Sequence, residues 1–542
     1  MEGRDRYFFW VVVSVAAALI FLGLGEPSLI DPDEARFART SVEMTRSRDL
    51  VVPTFEGKPR IVKPPLLHWM QAALFLGFGS GELPSRLPAA FATLGSMFLV
   101  AWIARRRFGM EGAAWAAAIF ITQPLVFITG RLGTTDALLS FHVLGALSLD
   151  MAEPDEAGRH KAAAMGALLG MAFLAKGPIG IVLPLLVILA GRTATGREVL
   201  PRSRTLLVAL AGWGVVVLPW GLAFLKRLGA GEVFGSLRRE TLERYFSESI
   251  HMEPPWYYAT VLILGCLPWV ATLPLALFRV AGRLRSRTAP TALYAGAGLL
   301  AGLLFFSLGK GKLPQYILPL SPLVALVVAW ELGRELEAPG PRRLGPSLLA
   351  GALLLLMVIL GAVAAVHPDA AVRYTGLVGA ISYGAGGLVA LAGLLRHRPR
   401  LVYGAAAVAG AAFLMAGALV LHPAIGRDRS AAPLLEKVPE LASGRPVLLI
   451  DIDIPSMTFY RDRVSERVPL EELISRLRRP DDPLLVVASA DLGRVRPDVL
   501  TRLREIGRHG KLHVFEKIHP HGETMTKPDG PFLDSRRDTL LR

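Results

Sequence analysis

Residues 345–366 read GPSLLAGALLLLMVILGAVAAV, an apolar run that contains no charged side chain. A helix needs about 20 such residues to cross the hydrocarbon core of a bilayer. Comparable runs recur along the 542-residue chain and are separated by short charged or Pro/Gly-rich loops. The composition agrees, with 52% hydrophobic and only 19% charged residues. Lipid is therefore the expected solvent for most of the chain.

Reading each apolar run as a helix predicts about thirteen transmembrane helices. We expect them near residues 8–25, 86–104, 112–130, 134–151, 161–175, 177–191, 205–225, 256–280, 291–308, 314–332, 345–366, 374–394 and 400–421. No small-residue cleavage site follows the first run, which favours an uncleaved helix over a signal peptide. At Lys176-Gly177-Pro178 the pattern fits either a tight reversal or a broken helix.

The net charge of +15 lies mainly in alternate loops, such as Arg105–Arg107 and Arg283–Arg287. This distribution follows the positive-inside rule, so the charge indicates topology and a nucleic-acid partner is not expected. It predicts a cytoplasmic N-terminus, a C-terminus outside, and outer loops at 26–85 and 226–255. The single cysteine, Cys266, lies in an apolar run and allows no internal disulfide or cysteine-based metal site.

The composition shifts after His422-Pro423, which divides the chain into a transmembrane part, 1–423, and a smaller outer part. Short β-prone runs at 446–454, 483–488 and 512–515 alternate with helical spacing at 470–477 and 497–506. This pattern predicts a small α/β domain over 424–518 on the periplasmic side. The polar, Pro/Gly-rich stretch 519–542 is predicted to be disordered.

Three acidic residues, Asp31, Asp33 and Glu34, follow the first helix directly. They could cap a short interfacial helix, since carboxylates accept N–H bonds at helix N-termini. Acidic side chains beside a membrane are nevertheless costly and favour a functional role, so Asp33 and Glu34 are catalytic candidates. In the same loop, Lys63 precedes a rigid Pro-Pro. It could bind a lipid phosphate or simply extend toward the headgroups.

Asp136 lies about one turn inside the fourth predicted span, where an ionisable group normally faces a cavity or a partner. Arg131 could instead neutralise it in a purely structural pair. Further candidates are on outer loops. They are Arg244, Lys310, Lys312 and Tyr316 for substrate binding, and His251 as a metal ligand. One histidine without ligand spacing is a weak metal signal, and a Gly-Lys-Gly-Lys turn is also simply flexible and basic.

Together, the order of these motifs resembles the ArnT-like branch of the membrane glycosyltransferases, the 4-amino-4-deoxy-L-arabinose transferases of lipid A. Protein O-mannosyltransferases are relatives of this branch. The resemblance covers about residues 26–332. It is carried by Asp33-Glu34-Ala35-Arg36-Phe37-Ala38, Lys63-Pro64-Pro65-Leu66-Leu67-His68-Trp69, Ala175-Lys176-Gly177-Pro178, Pro255-Trp256-Tyr257-Tyr258, Leu267-Pro268-Trp269 and Lys310-Gly311-Lys312-Leu313-Pro314-Gln315-Tyr316-Ile317-Leu318-Pro319.

The resemblance implies a GT-C fold in a bacterial inner membrane and a sugar donor carried on polyprenyl phosphate, such as undecaprenyl phosphate. It implies active-site roles for Asp33, Asp136 and Lys63, a role for His251, and lipid A or another envelope acceptor. No organic cofactor is expected. A divalent metal, zinc or else magnesium or manganese, stays open, because Val62 stands where the aminoarabinose transferases have a glutamate.

Two other functions fit a chain with many spans. A transporter of lipid-linked sugars would place acidic residues near the midplane, whereas here the polar motifs gather at one face. A transferase acting on protein or polysaccharide would share the same lipid carrier. We therefore expect an enzyme of the polyprenyl-phosphate-sugar type, with the acceptor undecided between lipid A and these alternatives.

Overall fold

The computed structural model describes residues 2–152, 158–199, 202–243, 245, 253–337, 344–479 and 481–518. Each predicted span coincides with helical structure in these ranges. By length and composition, seven helices of the described residues can cross a membrane. The prediction of a multi-span helical protein is thus confirmed, whereas the number of thirteen spans stays a prediction. The segment 519–542, predicted to be disordered, lies outside the described residues.

Among the described residues up to Arg238 there are ten α-helices, and two of them lie within the segment 26–85. They are α1 (Glu2–Phe21), α2 (Asp33–Ser47), α3 (Leu66–Phe78), α4 (Glu82–Ile121), α5 (Pro124–Gly130), α6 (Asp136–Met151), α7 (Gly158–Lys176), α8 (Ile179–Thr195), α9 (Ser203–Leu228) and α10 (Ala230–Arg238). A π-helical turn, Arg239–Glu243, continues α10. Between α2 and α3, a two-stranded antiparallel ribbon pairs β1 (Thr54–Phe55) with β2 (Lys58–Pro59).

The second half of the membrane part continues with shorter and broken helices. They are α11 (Tyr257–Gly265), α12 (Leu273–Ala281), α13 (Pro290–Leu308), α14 (Ser321–Glu337), α15 (Leu344–Val366), α16 (Ala370–Leu395), α17 (Pro399–Ala416) and α18 (His422–Asp428). Short 3-10 segments, Trp269–Ala271 and Pro314–Leu320, precede α12 and α14.

Glycine and proline set the breaks in these helices. Gly109 adopts a positive φ of 68° and divides α4 into two parts, which matches the two spans predicted there. Pro268 lies in the interruption of the predicted span 256–280, because proline cannot donate the N–H that a continuous helix needs. Gly177, with φ of 75°, reverses the chain between α7 and α8, so the tight reversal is correct.

Burial separates the centre of the bundle from its lipid-facing rim. Leu323 to Leu332 of α14 are buried almost completely, which places this helix at the centre. In contrast, Val215 of α9 is 76% exposed and Leu304 of α13 is 61% exposed. Large exposed apolar side chains on long helices are expected where lipid replaces water around the protein.

Residues beyond α18 form a mixed five-stranded sheet with flanking short helices. The strands are β3 (Val447–Ile450), β4 (Glu466–Val468), β5 (Leu484–Ala488), β6 (Leu503–His509) and β7 (Leu512–Lys517), in the order β4-β3-β5-β7-β6. β3 pairs parallel to β4 and β5, while β7 pairs antiparallel to β5 and β6. Helices Ala432–Lys437, Pro455–Arg461, Leu473–Leu477, Ser489–Leu492 and Pro497–Leu500 surround the sheet.

One helix predicted in this part is wrong. Over 497–506 only Pro497–Leu500 is helical, and β6 begins at Leu503. Gly510, with φ of 57°, turns the chain so that β6 folds back against β7. The inter-strand hydrogen bonds of this hairpin override the helical spacing of Leu500, Leu503 and Ile506.

The C-terminal sheet unit rests on α2 and on the chain that leads into it. Tyr460 accepts a hydrogen bond from the Leu29 backbone at 2.8 Å and donates one to Glu82 at 2.8 Å. Arg39 of α2 forms an ion pair with Asp462 at 2.7 Å. These contacts fix the sheet unit against the segment 26–85, which carries Asp33.

Candidate functional site

Asp33 is the first residue of α2 and its carboxylate is open, with 53% of the side chain exposed. Arg36, one turn later, approaches it at 3.6 Å and also contacts Asp453 of the C-terminal unit. The capping interpretation does not apply to Asp33, because no side chain caps this helix at its N-cap residue, Pro32. Asp33 therefore remains available to a bound molecule.

Asp136 is the first residue of α6 and forms an ion pair with Lys176, the last residue of α7. Both side chains are nearly buried, with exposures of 7% and 11%. The proposed structural pair with Arg131 is wrong, since Arg131 donates to the carbonyls of Leu19 and Ile20 at 2.9 Å. The Lys176 ammonium also lies 4.7 Å from the centre of the Tyr316 ring, a cation–π contact.

Lys63 precedes the Pro64-Pro65 pair at the start of α3, which holds its backbone rigid. Its ammonium lies 3.1 Å from Glu240 of the π-helical turn after α10. Lys63 and Glu240 are largely buried, with side-chain exposures of 15% and 23%. Lys63 is therefore a positioned cation and not one that extends freely toward lipid headgroups.

These three positions, distant in sequence, line one cavity of about 1120 Å³. Its wall contains seven Lys or Arg residues and five Asp or Glu residues, so positive charge is in excess. The charged lining residues are Asp33, Arg36, Glu56, Lys58, Arg60, Lys63, Asp136, Lys176, Glu240, Lys312, Glu466 and Arg467.

A second, apolar groove of about 300 Å³ shares part of this wall. Residues that line both spaces are Lys63, Lys176, Glu240, Gly311 and Tyr316. The remainder of the groove is lined by Leu139, Pro178, Ile179, Val182, Tyr245, Phe305, Phe306 and Gly309. A polar cavity thus joins an apolar groove at two lysines.

Glu34 does not reach the cavity, so its assignment as a catalytic residue is not supported. Its side chain is 2% exposed and accepts two hydrogen bonds from Arg86, at 2.7 and 2.8 Å. It also accepts from the backbone of Ile30 at 2.9 Å and of Gly133 at 2.8 Å. Burial opposes the ionised form, but the contacts with Arg86 outweigh it and lower the pKa of Glu34. Glu34 ties α2 to the chain before Asp136 and therefore positions both acids.

The Gly309–Leu313 turn contributes one of its two lysines. Lys312 lines the cavity and is 4% exposed, and its ammonium donates to the Glu253 carbonyl at 2.8 Å. Lys310 is exposed and lies outside the cavity lining. Tyr316, which follows the turn, lies between the cavity and the groove. The lysine that complements Lys63 is therefore Lys176, not Lys310.

Arg244 and His251 lie outside the described residues. Within the described ranges, no group of three or more His, Cys, Asp or Glu side chains is arranged to hold a metal ion. Lysines pair with Asp136 and Glu240 and so occupy carboxylate oxygens that a metal would need. The described acidic residues of the cavity therefore do not fit a divalent cation.

Sequence reasoning missed eight of the twelve charged lining residues, among them Lys176, Glu240, Arg60 and Arg467. For Lys176 a signal existed, because a lysine at the end of an apolar run beside Gly-Pro is costly in lipid. Arg467 carries no such signal, since it comes from β4 of the C-terminal unit. It reaches Asp453 at 2.9 Å and Glu56 at 3.5 Å, and only the tertiary structure brings it to the cavity.

Burial shifts the pKa of two further groups near this cavity. Burial raises the pKa of Asp31 to about 7, although Ser456 donates two hydrogen bonds to its carboxylate. Burial, together with the nearby Arg36, lowers the pKa of the Arg60 guanidinium to about 10. Arg60 nevertheless stays charged at neutral pH.

Comparisons with known proteins agree with this architecture. A family profile described as dolichyl-phosphate-mannose-protein mannosyltransferase matches residues 62–222. An undecaprenyl phosphate-alpha-4-amino-4-deoxy-L-arabinose arabinosyl transferase of Edwardsiella ictaluri is 30% identical over 462 residues, covering 81% of either chain. Pseudomonas fluorescens has such a transferase that is 32% identical over 371 residues, covering 66% of this chain and 65% of that one.

Solved structures share the fold. The crystal structure of ArnT from Cupriavidus metallidurans bound to undecaprenyl phosphate has a TM-score of 0.76 at 22% identity, covering 94% of this chain and 98% of that chain. Its apo form has a TM-score of 0.77 at 23% identity. The fold is that of the GT-C class of membrane glycosyltransferases. By its identity to the Edwardsiella transferase over most of both chains, this chain belongs to the ArnT-like family of that class.

Proposed function

We propose that this protein transfers a sugar from a polyprenyl phosphate carrier to lipid A or another envelope acceptor. The observation that carries the proposal is the junction between the polar cavity and the apolar groove, where Lys63 and Lys176 line both. A donor that carries a long apolar tail, then a phosphate and then a sugar has the same order of apolar, charged and polar parts as this junction. The tail fits the groove, the phosphate fits the two lysines, and the sugar fits the cavity.

The reaction breaks the bond between the anomeric carbon of the sugar and the phosphate oxygen of the carrier. As this bond breaks, negative charge grows on the departing polyprenyl phosphate. Lys63 and Lys176 are held by Glu240 and Asp136, so they are oriented before the charge develops. Positioned cations of this kind stabilise a leaving group more than mobile water does.

The acceptor forms the new bond to the same carbon, and Asp33 is the open carboxylate in the cavity. If the acceptor is a phosphate, it is already nucleophilic and Asp33 only has to orient it. A hydroxyl acceptor would transfer its proton to Asp33 as a general base. Asp136 supports the reaction indirectly because it holds Lys176. Arg244 and His251 stay candidates for substrate and metal binding.

The names of the relatives suggest the sugar and the carrier. Proteins matched over 81% and 66% of this chain are named for undecaprenyl phosphate and 4-amino-4-deoxy-L-arabinose. We propose the same donor here and lipid A as the acceptor. Transfer to protein or polysaccharide is the alternative, and the match of residues 62–222 to the mannosyltransferase profile keeps it open.

We also propose that the cavity faces the periplasm and that the N-terminus is cytoplasmic. Arg105–Arg107 lie on α4 about 20 residues from its start at Glu82, which contacts the C-terminal unit through Tyr460. The basic cluster is therefore roughly 30 Å away along the helix, at the rise of 1.5 Å per residue. Basic loops mark the cytoplasmic side of a membrane protein, which leaves the cavity on the other side.

Transfer of label tests the proposal. Purified protein is incubated with undecaprenyl phosphate carrying radiolabelled 4-amino-4-deoxy-L-arabinose and with lipid A, and label in the lipid A fraction is measured. We expect Lys63→Ala to reduce the rate about 100-fold or more, because one leaving-group contact is lost. The control is Lys310→Ala, from the exposed turn outside the cavity, which should stay within about threefold of the original rate.

If label reaches added protein or polysaccharide but not lipid A, the proposed acceptor is wrong and the proposed donor still stands. Equal rates for the original protein and Lys63→Ala would contradict the placement of the donor phosphate.

A further inference from the structure

Arg60 lies between the β1–β2 ribbon and α3 and lines the polar cavity. Its guanidinium stacks over the buried Phe37 ring, with 4.8 Å between the guanidinium carbon and the ring centre. It does not line the apolar groove. Arg60 is thus fixed by an aromatic contact at a distance from the lipid tail of the donor.

Arg60 differs from most of the other guanidinium and ammonium groups of the cavity wall. Most of them have a carboxylate partner: Arg36 with Asp33 and Asp453, Lys63 with Glu240, Lys176 with Asp136, and Arg467 with Glu56 and Asp453. Within the described ranges of the chain, the Arg60 side chain forms no ion pair, and its Nη1 is buried without a hydrogen-bond partner. Asp33 and Glu240 are near enough to act on the Arg60 charge, but neither forms an ion pair with it. A buried N–H group without a partner is costly, so a bound anion is the natural partner of Nη1.

The donor phosphate is not that anion. If the apolar tail of the donor lies in the groove, its phosphate lies at the mouth of the groove and not beside Arg60. The basic residues that line both the groove and the cavity are Lys63 and Lys176. In the proposed function they hold the phosphate of the lipid carrier. Arg36, Arg60 and Arg467 line only the polar side. An anion beside Arg60 must therefore belong to the other substrate.

We infer that Arg60 binds a phosphate group of the acceptor and so determines the choice of an anionic acceptor. A guanidinium donates two parallel hydrogen bonds to a phosphate, and the contact with Phe37 holds Arg60 at the cavity wall. The inference rests on the proposed function, since it assigns the second substrate of the same cavity. It makes Arg60 a specificity-determining residue and not a catalytic one.

Equilibrium binding of the two substrates to full-length protein in detergent tests this assignment. For Arg60→Gln we expect the Kd for bisphosphorylated lipid A to rise about 10- to 100-fold, as for the loss of a charge-assisted pair. The Kd for undecaprenyl phosphate should stay within about twofold, since Arg60 is not in the groove. Arg60→Lys keeps the charge but not the planar guanidinium with its two parallel N–H donors. It should therefore bind lipid A more tightly than Arg60→Gln but more weakly than the original protein.

Two controls separate binding from folding. Lys310→Gln removes an exposed cation that lies outside the cavity and the groove, and it should change both Kd values by less than about threefold. Arg60→Gln removes an unpaired buried charge, so its Tm should not fall below that of the original protein. The stabilisation that lipid A gives to Tm should be lost in Arg60→Gln alone.

The alternative outcomes are distinct. Weaker undecaprenyl phosphate binding with unchanged lipid A binding would overturn the inference and place Arg60 in the donor site. Unchanged binding of both substrates would also overturn it. If the expected binding change is found but the original protein transfers no label, the acceptor contact stands and the proposed reaction fails.

Discussion

The two ends of helix α6 both carry an acidic residue with basic neighbours, but the two clusters are built differently. Asp136, at the start of α6, pairs with Lys176 on the wall of the large cavity. Asp150, near its other end, has a side-chain exposure of 1% and accepts from Arg192 at 3.0 Å and from Tyr294 at 2.9 Å. Fourteen residues separate the two acids, which is about 21 Å of helix.

The difference shows what turns a buried ion pair into a candidate site. Around Asp150, a tyrosine and two arginines use the carboxylate oxygens, and none of these residues lines the polar cavity or the apolar groove. At Asp136 the cation belongs to a cavity wall, where a ligand phosphate can approach it. The same chemistry stabilises the fold at one end and is open to a substrate at the other.

The largest expected effect comes from removing the cation at each end. Lys176→Ala should reduce the rate of sugar transfer about 100- to 1000-fold, because a contact to the departing phosphate is lost. Arg192→Ala should leave the rate per folded protein within about threefold, since Arg192 is far from the cavity. Initial rates of label transfer measure both.

Lys176→Ala also leaves Asp136 buried without its cation, so the double variant Asp136→Asn with Lys176→Ala controls for folding. Removal of both charges should restore Tm while the protein stays inactive. Recovery of activity in the double variant would mean that Lys176 only supports the fold.

The next largest effect is expected at Asp150, the acid whose oxygens are all used by protein side chains. Asp150→Asn should lower the free energy of unfolding by about 3 kcal/mol, because two arginines lose their buried carboxylate. Transfer by the fraction that remains folded should be unchanged. Unfolding in mixed detergent micelles measures the free energy. A normal stability with lost transfer would show that this end also serves the reaction.

Glu34→Gln should affect both stability and transfer. Glu34 is buried and fully paired like Asp150, but it lies beside the cavity. Loss of the charge that Arg86 contacts should lower the free energy of unfolding by about 2 kcal/mol. Transfer should fall about 10-fold, since Glu34 holds the Gly133 backbone before Asp136. The neighbouring Asp33→Asn should do the reverse, with a larger loss of transfer and a normal Tm.

The smallest effect concerns pH and Asp31. Burial raises its pKa from an ordinary 3.8 to about 7, so the folded protein binds this proton more tightly than the unfolded chain. The contribution of Asp31 to stability is therefore greatest at low pH and falls as pH rises through about 4 to 7. Asp31→Asn lacks this proton, so its Tm should exceed that of the original protein more at pH 8 than at pH 5. Parallel Tm curves over this range would contradict the shift.

The sequence predicted the membrane class, the places of the helices and several lining residues. Apolar runs and loop charges reflect the bilayer directly. Helices α15 and α16 can therefore be predicted from their own sequence, without knowledge of the helices that pack against them. Asp33, Lys63 and Asp136 were found because charged groups beside lipid are costly. Glu34 met the same criterion, yet it faces Arg86. Exposure to a cavity depends on side-chain direction, which spacing along a loop does not reveal.

What the chain alone determined is therefore the solvent of each segment, because hydropathy is a property of each residue and its near neighbours. The tertiary structure decided which charges pair and which remain open to a ligand. The partner of Asp136 is Lys176 and not Arg131, as the sequence had suggested. Arg467 lines the cavity although it lies more than 400 residues after Asp33 in the chain. Such pairings depend on distances between helices and the sheet unit, and long-range packing sets those distances.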